Sequence, residues 1–133
     1  MYQAYLITGA TGFLGRAVLQ LLLAHSCRIL ALVMDKDPLA YTIPENVTVF
    51  CGDLTDKDTL RSFFAAGGDN FCVLHCAGLI SIASKPDEAI YRVNVQGTQN
   101  IIDLCCEFGA EKLVYVSSVH AIPEKPAPET ITE

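Results

Sequence analysis

The chain has 133 residues, 51% of them hydrophobic, and a formal net charge of −6 at pH 7. This length suits one domain with its own core, and the acidic balance argues against nucleic acid as a partner. No apolar run can cross a bilayer and no charged segment precedes an apolar one near the N-terminus, so neither a membrane partner nor a secretory signal is expected.

The first third of the chain alternates short apolar runs with one amphipathic segment. Strands are predicted over residues 2–8, 28–34 and 47–51, because these runs are rich in β-branched or apolar residues and end in turn residues. A helix is predicted over residues 13–25. Its apolar stripe would consist of Leu14, Ala17, Val18, Leu21 and Leu22.

The same alternation continues to the end of the chain. Thr55 or Asp56 can cap a short helix that runs to about Ala66. A strand is predicted over residues 71–75, a long helix over residues 86–108 and a fifth strand over residues 112–117. The apolar stripe of the long helix would consist of Ile90, Val93, Gly97, Ile101, Leu104 and Phe108.

Strands that alternate with helices predict the α/β class, as a doubly wound parallel sheet of the Rossmann, NAD(P)-binding type. Five strands are fewer than such a sheet normally has, so we expect it to be C-terminally truncated. Residues 1–122 would form an incomplete dinucleotide-binding domain. Residues 123–133, rich in proline and glutamate, would form a loop that leads into a missing catalytic region.

Six cysteines raise the question of disulfides or metal. They are Cys27, Cys51, Cys72, Cys76, Cys105 and Cys106. None belongs to a C-x-x-C pair and most lie in apolar runs, so we expect small buried residues in a reducing cytoplasm. The spacing of the histidines and cysteines predicts no metal site.

A glycine-rich segment, "GATGFLG", joins the first strand to the first helix. Gly9 permits a sharp turn, Gly12 lets the backbone approach a pyrophosphate, and Gly15 lets the helix pack closely on the sheet. Free N–H groups at the helix N-terminus would bind the phosphates. The motif and its position predict a dinucleotide site that includes Thr11, Phe13 and Leu14.

Two acidic residues are candidates for the adenosine end of that site. Asp35 lies twenty residues after Gly15, where a carboxylate accepts hydrogen bonds from a ribose and repels a 2′-phosphate. One alternative is that Asp35 is a solvated loop acid, and another is that Lys36 meets the 2′-phosphate of NADP. Asp53 follows the third strand and can accept from the adenine amino group, or it can bond its own turn backbone.

Several segments in order resemble extended short-chain dehydrogenases/reductases, with dihydroflavonol reductases and 3β-hydroxysteroid dehydrogenases the most similar types. They are "TGATGFLG", "GDLTD", "LHCAG", "NVQGTQNII" and "VYVSSVHAIP". The resemblance implies cofactor contacts at Asp53, Leu54, Cys76, Ala77, Gly78 and Asn94. Only the N-terminal part of such an enzyme is recognised, because the family's catalytic Tyr-x-x-x-Lys pair does not occur in the sequence.

The resemblance also implies an active-site serine, with Ser118 the first choice and Ser117 the second. The implied activity is hydride transfer between a nicotinamide cofactor and a carbonyl or hydroxyl group of a small-molecule substrate, although this chain alone would be inactive. NAD is favoured over NADP, because relatives that use NADP often carry arginine where this chain has Met34.

Three alternatives remain at this stage. The intact protein could be a nucleotide-sugar epimerase or dehydratase, because these enzymes share the first half of the chain. It could be a dinucleotide sensor without turnover, or a structural domain whose glycine loop binds nothing. Extended members of the family often form homodimers, so a homodimer is a further expectation.

Overall fold

Five parallel strands form one sheet in the computed structural model, which describes residues 2–80, 87–118 and 121. The strands are β1 (Ala4–Thr8), β2 (Arg28–Val33), β3 (Thr48–Cys51), β4 (Phe71–His75) and β5 (Lys112–Tyr115). Their order across the sheet is β3-β2-β1-β4-β5. The parallel pairing aligns Thr8 with Leu32 on one side and with His75 on the other. The carboxyl ends of these neighbouring strands therefore meet at one edge.

Helices connect the strands except between β2 and β3, where the connection contains only a 3-10 turn, Ala40–Thr42. The helices are α1 (Phe13–Leu22), α2 (Arg61–Ala65), α3 (Glu88–Tyr91) and α4 (Thr98–Glu107). A 3-10 turn, Lys57–Leu60, precedes α2, and a π-helical segment, Arg92–Gly97, joins α3 to α4 without a break. We call the continuous unit of α3, the π-helical segment and α4 the long helix.

Both faces of the central strands β1, β2 and β4 are covered, whereas the edge strands β3 and β5 are mostly exposed. Successive side chains of a strand point to opposite faces and so enter different clusters. Leu6 of β1 belongs to a core cluster with residues of α2 and the long helix, such as Phe63 and Leu104. Its neighbour Ile7 belongs to a second cluster, with Leu19 of α1. The predicted doubly wound parallel sheet is thus confirmed.

The predicted apolar stripe of α1 is wrong in part. Leu22 is buried and Val18 is half-buried, as predicted, but Leu14 and Leu21 are 43% and 72% exposed and Ala17 is exposed. The buried face consists instead of Gly15, Leu19 and Leu22. A Cβ added to Gly15 would lie 1.9 Å from the carbonyl oxygen of Gly9. This backbone contact fixes which face of the helix meets the sheet, and hydrophobic periodicity does not detect it.

The other helices follow their predictions more closely. Asp56 rather than Thr55 caps the segment before α2, where its side chain accepts from the N–H of Asp58. The predicted short helix is therefore a 3-10 turn followed by the five residues of α2 rather than one continuous α-helix. The predicted stripe of the long helix is confirmed, because Gly97, Ile101 and Leu104 are buried and Ile90, Val93 and Phe108 are half-buried.

The cysteine prediction is confirmed only in part. Cys72 and Cys105 are buried and Cys27 and Cys76 half-buried, but Cys51 and Cys106 are exposed. Cys51 ends β3, which lies at an edge of the described sheet, and Cys106 lies on the outer side of α4.

The structure describes no helix with the length and apolar character needed to cross a membrane. The predicted loop over residues 123–133 lies outside the described residues.

Candidate functional site

The order in which the chain adds strands to the sheet reverses between β1 and β4, and the candidate site lies at this point. The chain moves outward from β1 to β2 and β3 on one side, then returns to β4 and β5 on the other. Loops at the carboxyl ends of β1 and β4 therefore diverge and leave a crevice. Open α/β sheets bind ligands in such a crevice.

The glycine loop forms one wall of this crevice. Gly9 has a φ of +70°, and a Cβ there would lie 2.6 Å from the backbone nitrogen of Ala77. Gly12 precedes α1, whose N-terminus has no side-chain cap and no acidic residue in its first turn among the described residues. The uncapped N–H groups and the positive end of the helix dipole favour an anion at this position.

A cavity of about 260 Å³ opens beside this loop. Residues at the carboxyl ends of four strands line it. They are Thr8, Gly9, Thr11 and Gly12 at and after the end of β1; Leu32, Val33, Met34 and Asp37 at and after the end of β2; Gly52, Asp53 and Leu54 after β3; Cys76, Ala77, Gly78 and Leu79 after β4; and, from the long helix, Val93. We call it the first cavity.

Asp37, rather than Asp35, reaches the first cavity from the end of β2. The N–H of Asp37 donates to the carbonyl of Met34, and Lys36 adopts a φ of +60°, so this turn places Asp35 at its exposed tip. Thr11 donates to Oδ2 of Asp37 at 2.8 Å, and the N–H of Leu39 donates to Oδ1 at 2.8 Å. Asp37 was not among the predicted site residues, although Pro38, which follows it, is a residue typical of turns.

Asp53 lines the first cavity and also holds its own turn. Its Oδ1 accepts from the N–H and from the hydroxyl of Thr55, each at 2.8 Å. Its Oδ2 has no hydrogen-bond partner among the described residues. Both sequence-based interpretations of Asp53 thus remain compatible with the geometry.

The neighbouring Leu54 is fixed by the long helix. A Cβ on Gly97 would lie 2.9 Å from Cβ of Leu54, and the side-chain amide of Asn100 donates to the Leu54 carbonyl at 2.8 Å. This close packing fixes the loop after β3, which lines the first cavity, against the long helix.

The segment after β4, residues 76–79, separates the first cavity from a second one. Asn94 holds it, because its Oδ1 accepts from the N–H of Leu79 and its Nδ2 donates to the Leu79 carbonyl, each at 2.8 Å. Asn94 belongs to the π-helical segment, a rare conformation that is frequent at functional sites. The Asn94 side chain therefore fixes residues 76–79 by binding the backbone of Leu79.

The second cavity has a volume of about 650 Å³. It shares Gly9, Gly12 and residues 76–79 with the first cavity. Its own lining consists of Phe13, Leu14, Gly15, Ile80, Asn94, Thr98, Tyr115, Val116, Ser117 and Ser118. The two serines lie past the end of β5, where the sequence analysis expects the catalytic hydroxyl.

His75, the last residue of β4, immediately precedes residues 76–79 and is fully buried. Its Nδ1 is 2.6 Å from the hydroxyl of Thr8 and its Nε2 is 3.0 Å from the hydroxyl of Thr98. Tyr115 stacks on the ring, with centroids 5.5 Å apart. Burial lowers the pKa of His75 from 6.5 to about 4, so the ring is neutral at pH 7.

The structure thus brings almost all the predicted site residues to these two adjoining cavities. Asp35 alone among them lines neither cavity. Thr8, Asp37, His75 and Thr98 belong to the same region and were not among the predicted site residues.

Comparison with known proteins agrees with this architecture. The model of the 3-beta hydroxysteroid dehydrogenase/isomerase family matches residues 6–133. The chain is 38% identical over 125 residues to 3 beta-hydroxysteroid dehydrogenase type 7 of Rattus norvegicus, covering 89% of this chain and 36% of the relative. It is 34% identical over 123 residues to 3 beta-hydroxysteroid dehydrogenase/Delta 5-->4-isomerase of vaccinia virus (strain Copenhagen), covering 89% of this chain and 34% of the relative.

A solved structure shares the arrangement of the strands and helices. The UDP-glucose 4-epimerase of Thermus thermophilus, in complex with NAD, superposes with a TM-score of 0.81 at 29% identity. The match covers 98% of this chain and 42% of the epimerase. The chain spans about a third of the length of the curated relatives named above. With a family match that runs from β1 past the last described residue, the chain belongs to the 3-beta hydroxysteroid dehydrogenase/isomerase family, within the extended short-chain dehydrogenases/reductases.

Proposed function

We propose that this chain is the cofactor-binding part of an NAD-dependent oxidoreductase that transfers hydride between nicotinamide and a carbonyl or hydroxyl substrate. The observation that carries the proposal is the glycine loop at the switch point of the sheet, with an uncapped helix N-terminus beside a preformed cavity. The NAD bound to the Thermus thermophilus epimerase supports the same assignment.

In this proposal the first cavity takes the adenosine end of the cofactor. Gly9, Thr11 and Gly12 would line the pyrophosphate and Asp53 the adenine, while Asp37 replaces Asp35 at the ribose. The second cavity adjoins the N-terminus of α1 and reaches Ser118, so it would take the nicotinamide end and the substrate. Phe13, Leu14 and residues 76–78 would lie along the middle of the dinucleotide.

Charge supports NAD over NADP. Asp37 and Asp53 line the first cavity, and none of its described lining residues is lysine or arginine. A 2′-phosphate on the adenosine ribose would add negative charge next to a carboxylate, where two unit charges 4 Å apart near a protein surface repel by about 4 kcal/mol.

Calorimetric titration of the folded chain with NAD, and separately with NADP, tests this proposal. We expect NAD to bind and Gly12→Val to abolish binding, because the new side chain occupies the approach to the pyrophosphate. Ala24→Val is the matched control, because Ala24 is exposed beyond the end of α1 and lines neither cavity. Absence of NAD binding by the folded, unsubstituted chain would overturn the proposal.

A nucleotide-sugar epimerase or dehydratase is the second candidate for the whole protein. The match to UDP-glucose 4-epimerase over 98% of this chain supports it. Both candidates use the two cavities in the same way for the cofactor. Assay of the whole protein with a hydroxysteroid and with UDP-glucose, each with NAD, distinguishes them.

Two observations support a cytoplasmic location and a homodimer. All six thiols are free, as expected of a protein in the reducing cytoplasm.

The long helix carries three apolar side chains that are 40–56% exposed, Tyr91, Val95 and Ile102. Such apolar side chains on one helix are typical of a homodimer interface. In analytical ultracentrifugation we expect the sedimentation coefficient of the unsubstituted chain to rise with concentration. The Val95→Asp variant should sediment as a monomer.

A further inference from the structure

His75 and Thr98 form a connection between the sheet and the second cavity. Thr98 is the first residue of α4, lines this cavity and is half-buried. His75 is the last residue of β4 and reaches Thr98 from beneath the wall formed by residues 76–79. The connection is therefore placed where the two cavities meet.

The hydrogen bonds of Thr8 determine which ring nitrogen of His75 carries the proton. The hydroxyl oxygen of Thr8 accepts from the N–H of Ala77 at 3.3 Å. The proton of this buried hydroxyl has one acceptor among the described residues, Nδ1 of His75, at 2.6 Å. A proton on Nδ1 would leave the Thr8 hydroxyl without an acceptor in the core, which costs free energy. Nδ1 is therefore the unprotonated nitrogen.

The ring proton then lies on Nε2, which donates to the Thr98 hydroxyl oxygen at 3.0 Å. His75 is neutral, because burial lowers its pKa to about 4. Since Thr98 accepts from His75, its own proton is left to be donated elsewhere. The described residues offer this proton no acceptor, and the Thr98 side chain borders the second cavity.

We propose that Thr98 is a cofactor-binding residue that donates its hydroxyl proton to an acceptor oxygen of the bound dinucleotide, and that His75, as the Nε2–H tautomer, is the positioning residue that orients it. This inference rests on the proposed function, because the ligand is NAD. His75 does not touch the cofactor. Its Nδ1 accepts from Thr8, which fixes the tautomer, and its Nε2 donates to Thr98.

NAD titrations of single and double variants of the folded chain test the proposal. Thr98→Val keeps the shape and removes the donor, so we expect NAD to bind about five- to tenfold more weakly, while Thr98→Ser restores binding. His75→Phe should weaken binding by a similar factor. The double variant His75→Phe/Thr98→Val should bind no more weakly than Thr98→Val alone, because His75 acts through Thr98.

The tautomer is measured independently on the unsubstituted chain. The ¹⁵N chemical shifts of the His75 ring at pH 7 distinguish a protonated Nε2 from a protonated Nδ1, and this result needs neither NAD nor a folded variant. A proton on Nδ1, or on both nitrogens, would overturn the proposal.

The outcomes separate this inference from the proposed function. If the unsubstituted chain binds NAD and Thr98→Val binds it equally well, the role of Thr98 is overturned while NAD binding stands. If the two single losses add in the double variant, the positioning role of His75 is overturned. If the folded, unsubstituted chain does not bind NAD, both proposals are overturned together.

Discussion

The hydroxyl of Thr11 donates a hydrogen bond of 2.8 Å to Oδ2 of Asp37. This contact joins the glycine loop after β1 to the turn after β2, so the phosphate-binding and ribose-binding parts of the proposed site are held together. Asp37 lines the first cavity, whereas Asp35 lies exposed at the tip of the turn.

Asp37 should therefore determine the choice between NAD and NADP. We expect NAD to bind at least about tenfold more tightly than NADP, and Asp37→Asn to lower this preference by about tenfold by removing the charge. Asp35→Asn is the matched control and should change the preference less than about twofold, because solvent and salt screen an exposed carboxylate. The dissociation constants from calorimetry check this, and a larger effect of Asp35→Asn would return the role to that residue.

The sequence could not predict that Asp37 rather than Asp35 lines the first cavity. Strand, glycine loop and helix were predictable because each depends on local signals: apolar runs, turn residues and caps. The position of Asp37 depends on a left-handed Lys36 and on a contact with Thr11, twenty-six residues away. Spacing from the glycine motif contains no information about either.

The rotation of α1 was hidden for a similar reason. Its buried face follows from the contact between the Gly15 and Gly9 backbones, and the exposed Leu14 and Leu21 make the apolar pattern misleading. The site residues Thr8, His75 and Thr98 form hydrogen bonds between elements distant in sequence. The parallel register of β1 and β4 brings Thr8 to His75, and the packing of α4 against β4 brings Thr98 to His75.

Gly15→Ala should destabilise the chain far more than Gly12→Ala. The new Cβ at Gly15 would lie 1.9 Å from the Gly9 carbonyl oxygen, so α1 must move away from the sheet. We expect the free energy of unfolding to fall by about 3 kcal/mol or more. At Gly12 the nearest atom is 3.3 Å away and φ is −75°, so the change should remain within about 1 kcal/mol. Urea denaturation checks both, and equal losses would contradict the packing argument.

Buried neutral His75 should make stability depend on pH. The unfolded state binds a proton below about pH 6.5, whereas the folded state does so only below about pH 4. Between pH 6.5 and 4 the unfolded chain therefore binds more protons than the folded chain. The contribution of His75 to the free energy of unfolding is complete above pH 6.5 and is lost as pH falls to 4. The loss is at most about 3 kcal/mol across the window.

Urea denaturation at intervals between pH 7 and pH 4 measures this slope. His75→Gln should remove the contribution of this residue and flatten the curve between pH 6.5 and 4. His25→Gln is the control and should keep the slope, because His25 is exposed after α1. A His75→Gln curve parallel to that of the unsubstituted chain would contradict the assignment.

Ser118→Ala should separate catalysis from cofactor binding. Ser118 and Ser117 both line the second cavity beyond β5, and neither lines the first cavity. In the whole protein we expect Ser118→Ala to lower kcat by about 100-fold, because the substrate oxygen loses a hydrogen-bond donor as charge develops on it. The affinity of this chain for NAD should stay within about twofold. Ser117→Ala is the matched control, and a larger loss of kcat there than at Ser118 would transfer the catalytic role to Ser117.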